Sequence, residues 1–192
     1  MIMKLASRLS RACSLALMFQ CTLTTISLQA DETMKPTSTE QTAFEVIGIE
    51  VRTNNAAEAG ADGEIPKLWQ RLFMEGLLSR IPSRADESIV AVYTKYASDA
   101  TGDYTFILGA KVAPGTKAPE GMVAVSIPAG TYLEFISAKG AGQDVVPPLW
   151  RQIYGYFQGP GIPPRAFQTD FERYDGPFDP NSMQAHIYIG VK

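Results

Sequence analysis

An internal repeat is the feature of this sequence that most constrains its fold. IPKLWQRLF at residues 65–73 aligns with VPPLWRQIY at residues 146–154, and FILGAK at 106–111 aligns with IYIGVK at 187–192, both with an offset of 81 residues. YTKY at 93–96 aligns with FERY at 171–174 with an offset of 78 residues. Three motifs that recur in the same order predict two tandem units with the same structure.

The periodicity of the apolar residues indicates the same elements in each unit. In each unit, apolar residues at helical spacing, bounded by proline or glycine, predict one helix. Alternating apolar residues predict the strands. Residues 128–130 (Pro-Ala-Gly) are expected to bend the chain between two strands of the second unit. The predicted helices are 64–81 and 146–158, and the predicted strands are 43–53, 89–96, 104–112, 122–127, 131–136, 167–174 and 185–191.

These elements define the expected fold class, which is α+β. Each unit reads as βαββ, over residues 43–113 and 121–192. One such unit of roughly 75 residues can seal only a thin core, so we expect the two to join around a pseudo-twofold axis. The result would be an antiparallel sheet with two main helices, and a cleft at the junction of the units would be the natural binding site.

Residues 1–42 differ from the rest. Residues 1–30 carry Lys4, Arg8 and Arg11 before a short apolar run, and Asp31 follows Ala30, which is the pattern of a cleaved secretory signal. The apolar run is too short to predict a stable membrane span. Residues 31–42 (DETMKPTSTEQT) are polar and aperiodic, so they are predicted to be a flexible tether.

Two alternatives to a cleaved signal remain open. Cys21 could be the cysteine of a lipoprotein, although Phe19 and Gln20 before it are bulky for that processing site. Translation could instead start at Met34, which would leave the folded part whole and place the protein in the cytoplasm. With cleavage, the protein would be periplasmic or secreted, and it would contain no cysteine.

Charge and motif content argue against several classes of function. Loss of residues 1–30 would change the net charge from −3 to −6, and an acidic body without a cluster of Lys and Arg argues against nucleic-acid binding. His186 is the only histidine, so no His/Cys metal centre and no cofactor are expected. No GxSxG motif indicates serine hydrolase chemistry, and the glycines at 139–142 lack the ending of a phosphate-binding loop.

Several stretches together resemble the GyrI-like superfamily, which includes the effector-binding domains of AraC- and MerR-type regulators and integron cassette proteins. These stretches are VIGIEVRTNN, GEIPKLW, VYTKYASDATGDYTFILGAKV, IPAGTYLEF and DFERYD with IYIGVK. The resemblance covers residues 43–192 and implies that a hydrophobic, often cationic, small molecule binds between the two units. The chain shows no helix-turn-helix pattern, so a stand-alone effector-binding domain is expected.

The resemblance also implies that Glu172 is the acidic residue of the binding pocket. Alternation on the strand places Asp170, Glu172 and Tyr174 on one face, where a carboxylate among aromatic rings would attract an organic cation. The remaining candidate ligand-binding residues are aromatic: Trp69, Tyr96, Tyr132, Trp150, Tyr174 and Tyr188. Each could instead be a core residue. Some relatives hydrolyse reactive small molecules, so a hydrolase that uses Glu172 is the alternative function, and a protein partner is also possible.

Overall fold

The computed structural model describes residues 35–192, so the predicted signal at 1–30 lies outside the described residues. Among the described residues, no helix is long and apolar enough to span a bilayer. The strands are β1 Thr37–Gln41, β2 Phe44–Thr53, β3 Ile89–Thr94, β4 Tyr104–Val112, β5 Val123–Ile127, β6 Gly130–Ile136, β7 Thr169–Tyr174 and β8 Ala185–Gly190. The helices are α1 Asn55–Glu58, α2 Glu64–Met74 and α3 Gly142–Tyr156, with a 3-10 turn at Leu77–Arg80.

All eight strands form one antiparallel sheet in the order β1-β6-β8-β7-β3-β4-β2-β5. The order is symmetrical about the β3–β7 pair, because β4 and β2 follow β3 on one side as β8 and β6 follow β7 on the other. The duplicated α+β architecture that the repeat predicted is therefore confirmed.

Two long bent strands, one made of β1 and β2 and the other of β5 and β6, bring the ends of the sheet together. Only two residues connect β1 to β2, and only two connect β5 to β6, although these strands lie at opposite ends of the sheet order. Thr37 lies opposite Glu134 and, past the bend, Phe44 lies opposite Ile127, so a single register runs through both bends. Each bent strand therefore pairs with the other along its length, and the sheet must curl until its ends meet. The bend expected at residues 128–130 is part of this arrangement.

The helices α2 and α3 pack on one face of the sheet. Leu68 and Leu72 of α2 join Leu149 and Ile153 of α3 in the largest core cluster, where they meet the apolar residues of β3, β4, β7 and β8. On the opposite face, Phe171 of β7 is enclosed by aromatic rings of the bent strands and of β8, namely Phe44, Tyr132 and Tyr188, with ring centroids 5.4, 5.4 and 4.4 Å away. Both faces of the central strands are thus buried.

The bounds of both main helices differ from those predicted. The first helix ends at Met74 rather than at residue 81, because Gly76 adopts a left-handed conformation at φ +60° and a 3-10 turn follows. The second helix begins at Gly142, four residues before the predicted start. Pro147 and Pro148 lie inside this helix, and the two carbonyls that they leave without an N–H donor belong to the exposed residues Gln143 and Asp144.

The predicted tether at residues 31–42 is partly wrong. Residues 37–41 form strand β1, and this polar segment pairs with β6 through backbone hydrogen bonds. Every residue of β1 is exposed or half-buried. Because the strand buries no apolar side chain, its sequence shows no hydrophobic alternation, and the strand could not be recognised from periodicity.

Candidate functional site

Glu172 lies near the centre of the sheet with its side chain on the face that carries the helices. It belongs to β7, where the buried Asp170 and Tyr174 share its face and Phe171 points to the other. Only 2% of the Glu172 surface is exposed. The alternation predicted for this strand is therefore present, and it places a carboxylate beneath the helices.

Three neutral donors hold the Glu172 carboxylate. The Tyr93 hydroxyl donates to Oε1 over 2.9 Å, and the Trp150 indole Nε1–H donates to the same oxygen over 2.6 Å. The Tyr174 hydroxyl donates to Oε2. Within residues 35–192, none of the ion pairs involves Glu172. The acid is thus buried with hydrogen-bond donors but without a positive charge.

Burial raises the pKa of the Glu172 carboxyl above its ordinary value of 4.5, because desolvation penalises the charged form. The hydrogen bonds from Tyr174, Trp150 and Tyr93 act in the opposite direction and lower the pKa, but they do not offset the burial. Burial, and to a lesser degree the neighbouring carboxylate, raise the pKa of the Tyr93 and Tyr174 hydroxyls well above the ordinary value, so both remain protonated donors. The site is therefore one that a positive charge would stabilise.

A cavity of about 570 Å³ opens above Glu172, between α2 and the first turns of α3. Its walls are mainly apolar and aromatic side chains from both helices and from the segment that joins β7 to β8. The lining includes Ile65, Pro66, Trp69 and Phe73 of α2, Val146 and Pro147 of α3, Tyr93, Glu172 and Tyr174 of the sheet, and Phe178, Pro180 and Met183 of the β7–β8 segment.

Aromatic rings form a layered wall at this cavity. Phe178 stacks on Trp69 at 5.5 Å and on Phe73 at 5.3 Å, with an interplanar angle of 17° in both cases. Tyr174 meets the Trp69 ring edge-on at 5.2 Å. Phe73 is 46% exposed and so lies at the rim, whereas Tyr174 is buried. The rings therefore extend from the solvent to the carboxylate.

The structure brings together four of the seven predicted ligand-binding residues. Glu172, Tyr174 and Trp69 line the cavity, and Trp150 lies behind it, where its indole holds the carboxylate and its ring meets Tyr93 edge-on at 5.1 Å. Tyr93 completes this group.

The other three predicted residues lie elsewhere. Tyr96 donates to Asp170 Oδ2 over 2.7 Å, in a second polar cluster. Tyr132 and Tyr188 lie on the face of the sheet opposite the helices, where they pack on Phe171 and donate to the Pro128 carbonyl and to Glu134. None of the three lines the cavity above Glu172.

The alignment of YTKY with FERY at an offset of 78 is wrong by one residue. Tyr93 lies opposite Phe106 in β4, and Glu172 lies opposite Ile187 in β8. Because Phe106 and Ile187 are equivalent at the offset of 81, Tyr93 is the equivalent of Glu172 rather than of Phe171. A one-residue slip moves every side chain to the other face of a strand, and this slip hid Tyr93 as a member of the site.

Two aromatic residues of the cavity were also missed. Phe73 lies at an apolar position of its helix, so the sequence pattern favours a core residue and does not show its exposure. Phe178 lies in the irregular segment 175–184, for which periodicity gives no orientation. A signal for Phe178 was its position as a lone aromatic residue among turn-forming residues, GPFDPNS at 176–182.

Comparison with known proteins agrees with the geometry of the fold. The family model of integron-associated effector binding proteins matches residues 39–191. The protein YobU of Bacillus subtilis (strain 168) is 32% identical over 149 residues, which cover 76% of this chain and 90% of YobU. An integron cassette protein from Vibrio cholerae superposes with a TM-score of 0.65 at 30% identity, over 82% of this chain and 96% of its own.

The structure of SAV2435 bound to tetraphenylphosphonium has the same fold, with a TM-score of 0.68 at 16% identity over 83% of this chain and 94% of that one. The duplicated sheet, the two helices and the family match over nearly all described residues lead to one assignment. The chain belongs to the integron-associated effector binding proteins, with a GyrI-like effector-binding fold.

Proposed function

We propose that this protein binds a hydrophobic, cationic small molecule in the cavity above Glu172, with the carboxylate as the charge partner. The observation that carries the proposal is that Glu172 is 2% exposed, accepts hydrogen bonds from Tyr93, Trp150 and Tyr174, and has no ion-pair partner among residues 35–192. A buried charge is costly unless it is paired. A bound cation would supply the missing charge.

The walls of the cavity suit the rest of such a ligand. Trp69, Phe73 and Phe178 present ring faces and edges, and an organic cation gains about 0.5 to 2 kcal/mol from the face of an aromatic ring. A volume of about 570 Å³ falls in the range that accepts a drug-sized molecule. Apolar walls and one desolvated carboxylate together favour a lipophilic cation over a small hydrated ion.

The relatives support this class of ligand. SAV2435, which shares the fold, has been solved with tetraphenylphosphonium, a bulky cation without hydrogen-bond donors. Family membership supports an effector-binding role, and the geometry of the Glu172 cavity supports the choice of a cation.

A thermal-shift experiment with matched ligands tests the proposal. Tetraphenylphosphonium is compared with neutral triphenylphosphine oxide, and N-methylacridinium with neutral acridine at pH 7.5. We expect the cations to raise the Tm far more than their neutral analogues do. Glu172→Gln should weaken the cations by about tenfold or more, which is about 1.4 kcal/mol, and leave the neutral ligands unchanged.

Glu134→Gln is the matched control, since it makes the same change on the opposite face, where Glu134 accepts a hydrogen bond from Tyr188. Equal responses to charged and neutral ligands would refute cation recognition, as would equal affinities in the wild type and in Glu172→Gln. Turnover of a reactive ligand, lost in Glu172→Gln, would instead favour the hydrolase alternative.

We also propose that the protein is exported. The basic start, apolar run and Ala30–Asp31 junction support cleavage after residue 30, and β1 begins only at Thr37, so cleavage there would remove no residue of the sheet. Sequencing of the N-terminus of protein isolated from its native host should then begin near Asp31. A mature chain that begins at Met34 and is recovered from the cytoplasm would contradict export.

A further inference from the structure

A second acid lies beside Glu172 on the same strand. Asp170 is completely buried on the face that carries the helices, and it accepts three hydrogen bonds. The Gly190 amide donates to Oδ1 over 2.9 Å, the Tyr96 hydroxyl donates to Oδ2 over 2.7 Å, and an Arg165 guanidinium N–H donates to Oδ2 over 2.6 Å. Unlike Glu172, this carboxylate already has a cation.

The cation sits among aromatic rings. The guanidinium carbon of Arg165 lies 4.5 Å from the centre of the Phe167 ring and 5.9 Å from the centres of both the Tyr154 and Phe157 rings. Arg165 is only 7% exposed. A buried carboxylate surrounded by ring faces is the arrangement that recognises an organic cation, and here the cation is a side chain of the same protein.

We infer that the Asp170 cluster is a second cation-binding site, specific for a planar guanidinium group and occupied by the chain's own Arg165. The two sites share one construction, in which a buried acid on β7 is held by a tyrosine hydroxyl and flanked by aromatic rings. They differ in the occupant. The Glu172 site has none within the described residues, and the Asp170 site is filled from within.

The approach to Arg165 supports the inference. Arg165 follows segment 157–164 (FQGPGIPP), which has no helix or strand beyond a short turn, and its backbone is bound to the end of the sheet at Val191. A cavity of about 600 Å³ lies beside it, lined by Tyr154, Phe157, Phe167 and Arg165 itself. A free cation could therefore reach the site if the side chain were removed.

The fit of the internal cation is incomplete. The buried Arg165 Nε has no hydrogen-bond partner among the described residues, although the guanidinium group has a donor on Nε as well as on its two terminal nitrogens. Because the Arg165 side chain is tethered to the backbone, it reaches the Asp170 carboxylate in a position that leaves its Nε–H without an acceptor. A free guanidinium ion can reorient, so the site should accept one in place of the side chain.

Chemical rescue tests this inference. Arg165→Ala removes the occupant and leaves space for ethylguanidinium, which reproduces the deleted atoms. Thermal unfolding is measured with ethylguanidinium chloride, with neutral N-ethylurea, and with sodium chloride at equal ionic strength. We expect ethylguanidinium alone to raise the Tm of Arg165→Ala, by roughly 3 to 5 °C at about ten times its Kd. The wild type should not respond, because its site is full.

The double variant Arg165→Ala/Asp170→Asn controls for the carboxylate and should not respond either. If Arg165→Ala does not fold in plain buffer, the yield of refolded protein with each additive is the measurement, and recovery with ethylguanidinium only supports the site. Equal effects of ethylguanidinium and N-ethylurea, an undiminished response in the double variant, or no rescue at all would overturn the inference. Binding of ethylguanidinium in the Glu172 cavity would raise the Tm of the wild type and of both variants alike, so only the excess response of Arg165→Ala measures the Asp170 site.

Discussion

The Tyr93 hydroxyl donates to Glu172 Oε1 over 2.9 Å, and these two residues occupy equivalent positions in the two halves of the chain. One half thus supplies an acid at a position where the other supplies a donor to that acid. Because the two positions lie on neighbouring strands, the repeated units form one asymmetric carboxylate site rather than two identical ones.

Cation binding should depend on pH. The pKa of Glu172 is raised by burial, so the empty site holds a proton over a range above the ordinary value of 4.5. A bound cation favours the carboxylate, and binding in this range must therefore release a proton. We expect affinity to rise about tenfold per pH unit below the raised pKa and to level off above it. Calorimetry at several pH values in buffers of different ionisation enthalpy measures both effects.

Loss of a donor to Glu172 should shift this dependence. Tyr93→Phe removes a hydrogen bond that lowers the pKa of the carboxyl, so the pH at which binding begins should rise, with little change in affinity well above it. Tyr188→Phe removes a hydroxyl on the opposite face and should leave the pH profile unchanged. Identical profiles for Tyr93→Phe and the wild type would show that this hydrogen bond does not tune the site.

The two acids of β7 should respond oppositely to neutralisation. A raised pKa means that the folded state holds the Glu172 proton more tightly than the unfolded state, so Glu172 costs stability as pH rises above 4.5. Without ligand, Glu172→Gln should be at least as stable as the wild type at pH 8, with a smaller difference near pH 4. Asp170→Asn leaves Arg165 buried without its partner and should cost about 3 to 5 kcal/mol. Urea titrations of the wild type and of both variants at pH 4 and pH 8 measure these changes in the free energy of unfolding.

The aromatic wall should contribute to affinity for ring-containing cations. Trp69→Leu keeps an apolar side chain but removes the ring that Phe178 and Tyr174 contact, so we expect a loss of about 0.5 to 2 kcal/mol, roughly 2- to 30-fold in Kd. Phe44→Leu is the control, since Phe44 packs on the opposite face. A loss of the same size in both variants would show a general effect on the fold rather than a wall contact.

A close approach of backbones between β2 and β4 should make one glycine indispensable. A Cβ at Gly109 would lie 1.9 Å from the Ile47 carbonyl oxygen, and neither main chain can move without breaking the sheet. Gly109→Ala should therefore cost about 3 kcal/mol or more, or prevent folding. Gly155→Ala, in α3, meets no atom within 4 Å and should stabilise by about 0.5 to 1 kcal/mol. Chemical denaturation of both variants provides the comparison.

The sequence predicted the duplicated fold and the strand face that Glu172 shares with Asp170 and Tyr174, because both depend on features that repeat or alternate. The equivalence of the motifs around Trp69 and Trp150 survives in the structure, and the central strands show the predicted alternation. The sequence did not predict the correct alignment of β3 with β7 or the conformation of irregular segments. The offset of 78 residues concealed Tyr93, since the loops between β3 and β4 and between β7 and β8 differ in length in a way that motif similarity alone did not resolve.

The polar strand β1 and the ring of Phe178 could not be predicted for a related reason. β1 is held by backbone hydrogen bonds to β6, which any residue except proline can form, so its sequence is uninformative. Phe178 is oriented by stacking on Trp69 and Phe73, both distant in sequence, and by an edge contact with nearby Tyr174. Both features are decided by tertiary partners.

The bent strands have a consequence for how the protein can be divided. The leading strand of each half, β1 or β5, forms its hydrogen bonds with the other half, at β6 and β2. Cleavage between residues 113 and 121 would therefore give two fragments whose sheets are each one strand short until they associate. We therefore expect the two halves of this duplicated chain to fold and unfold together, because each completes the sheet of the other.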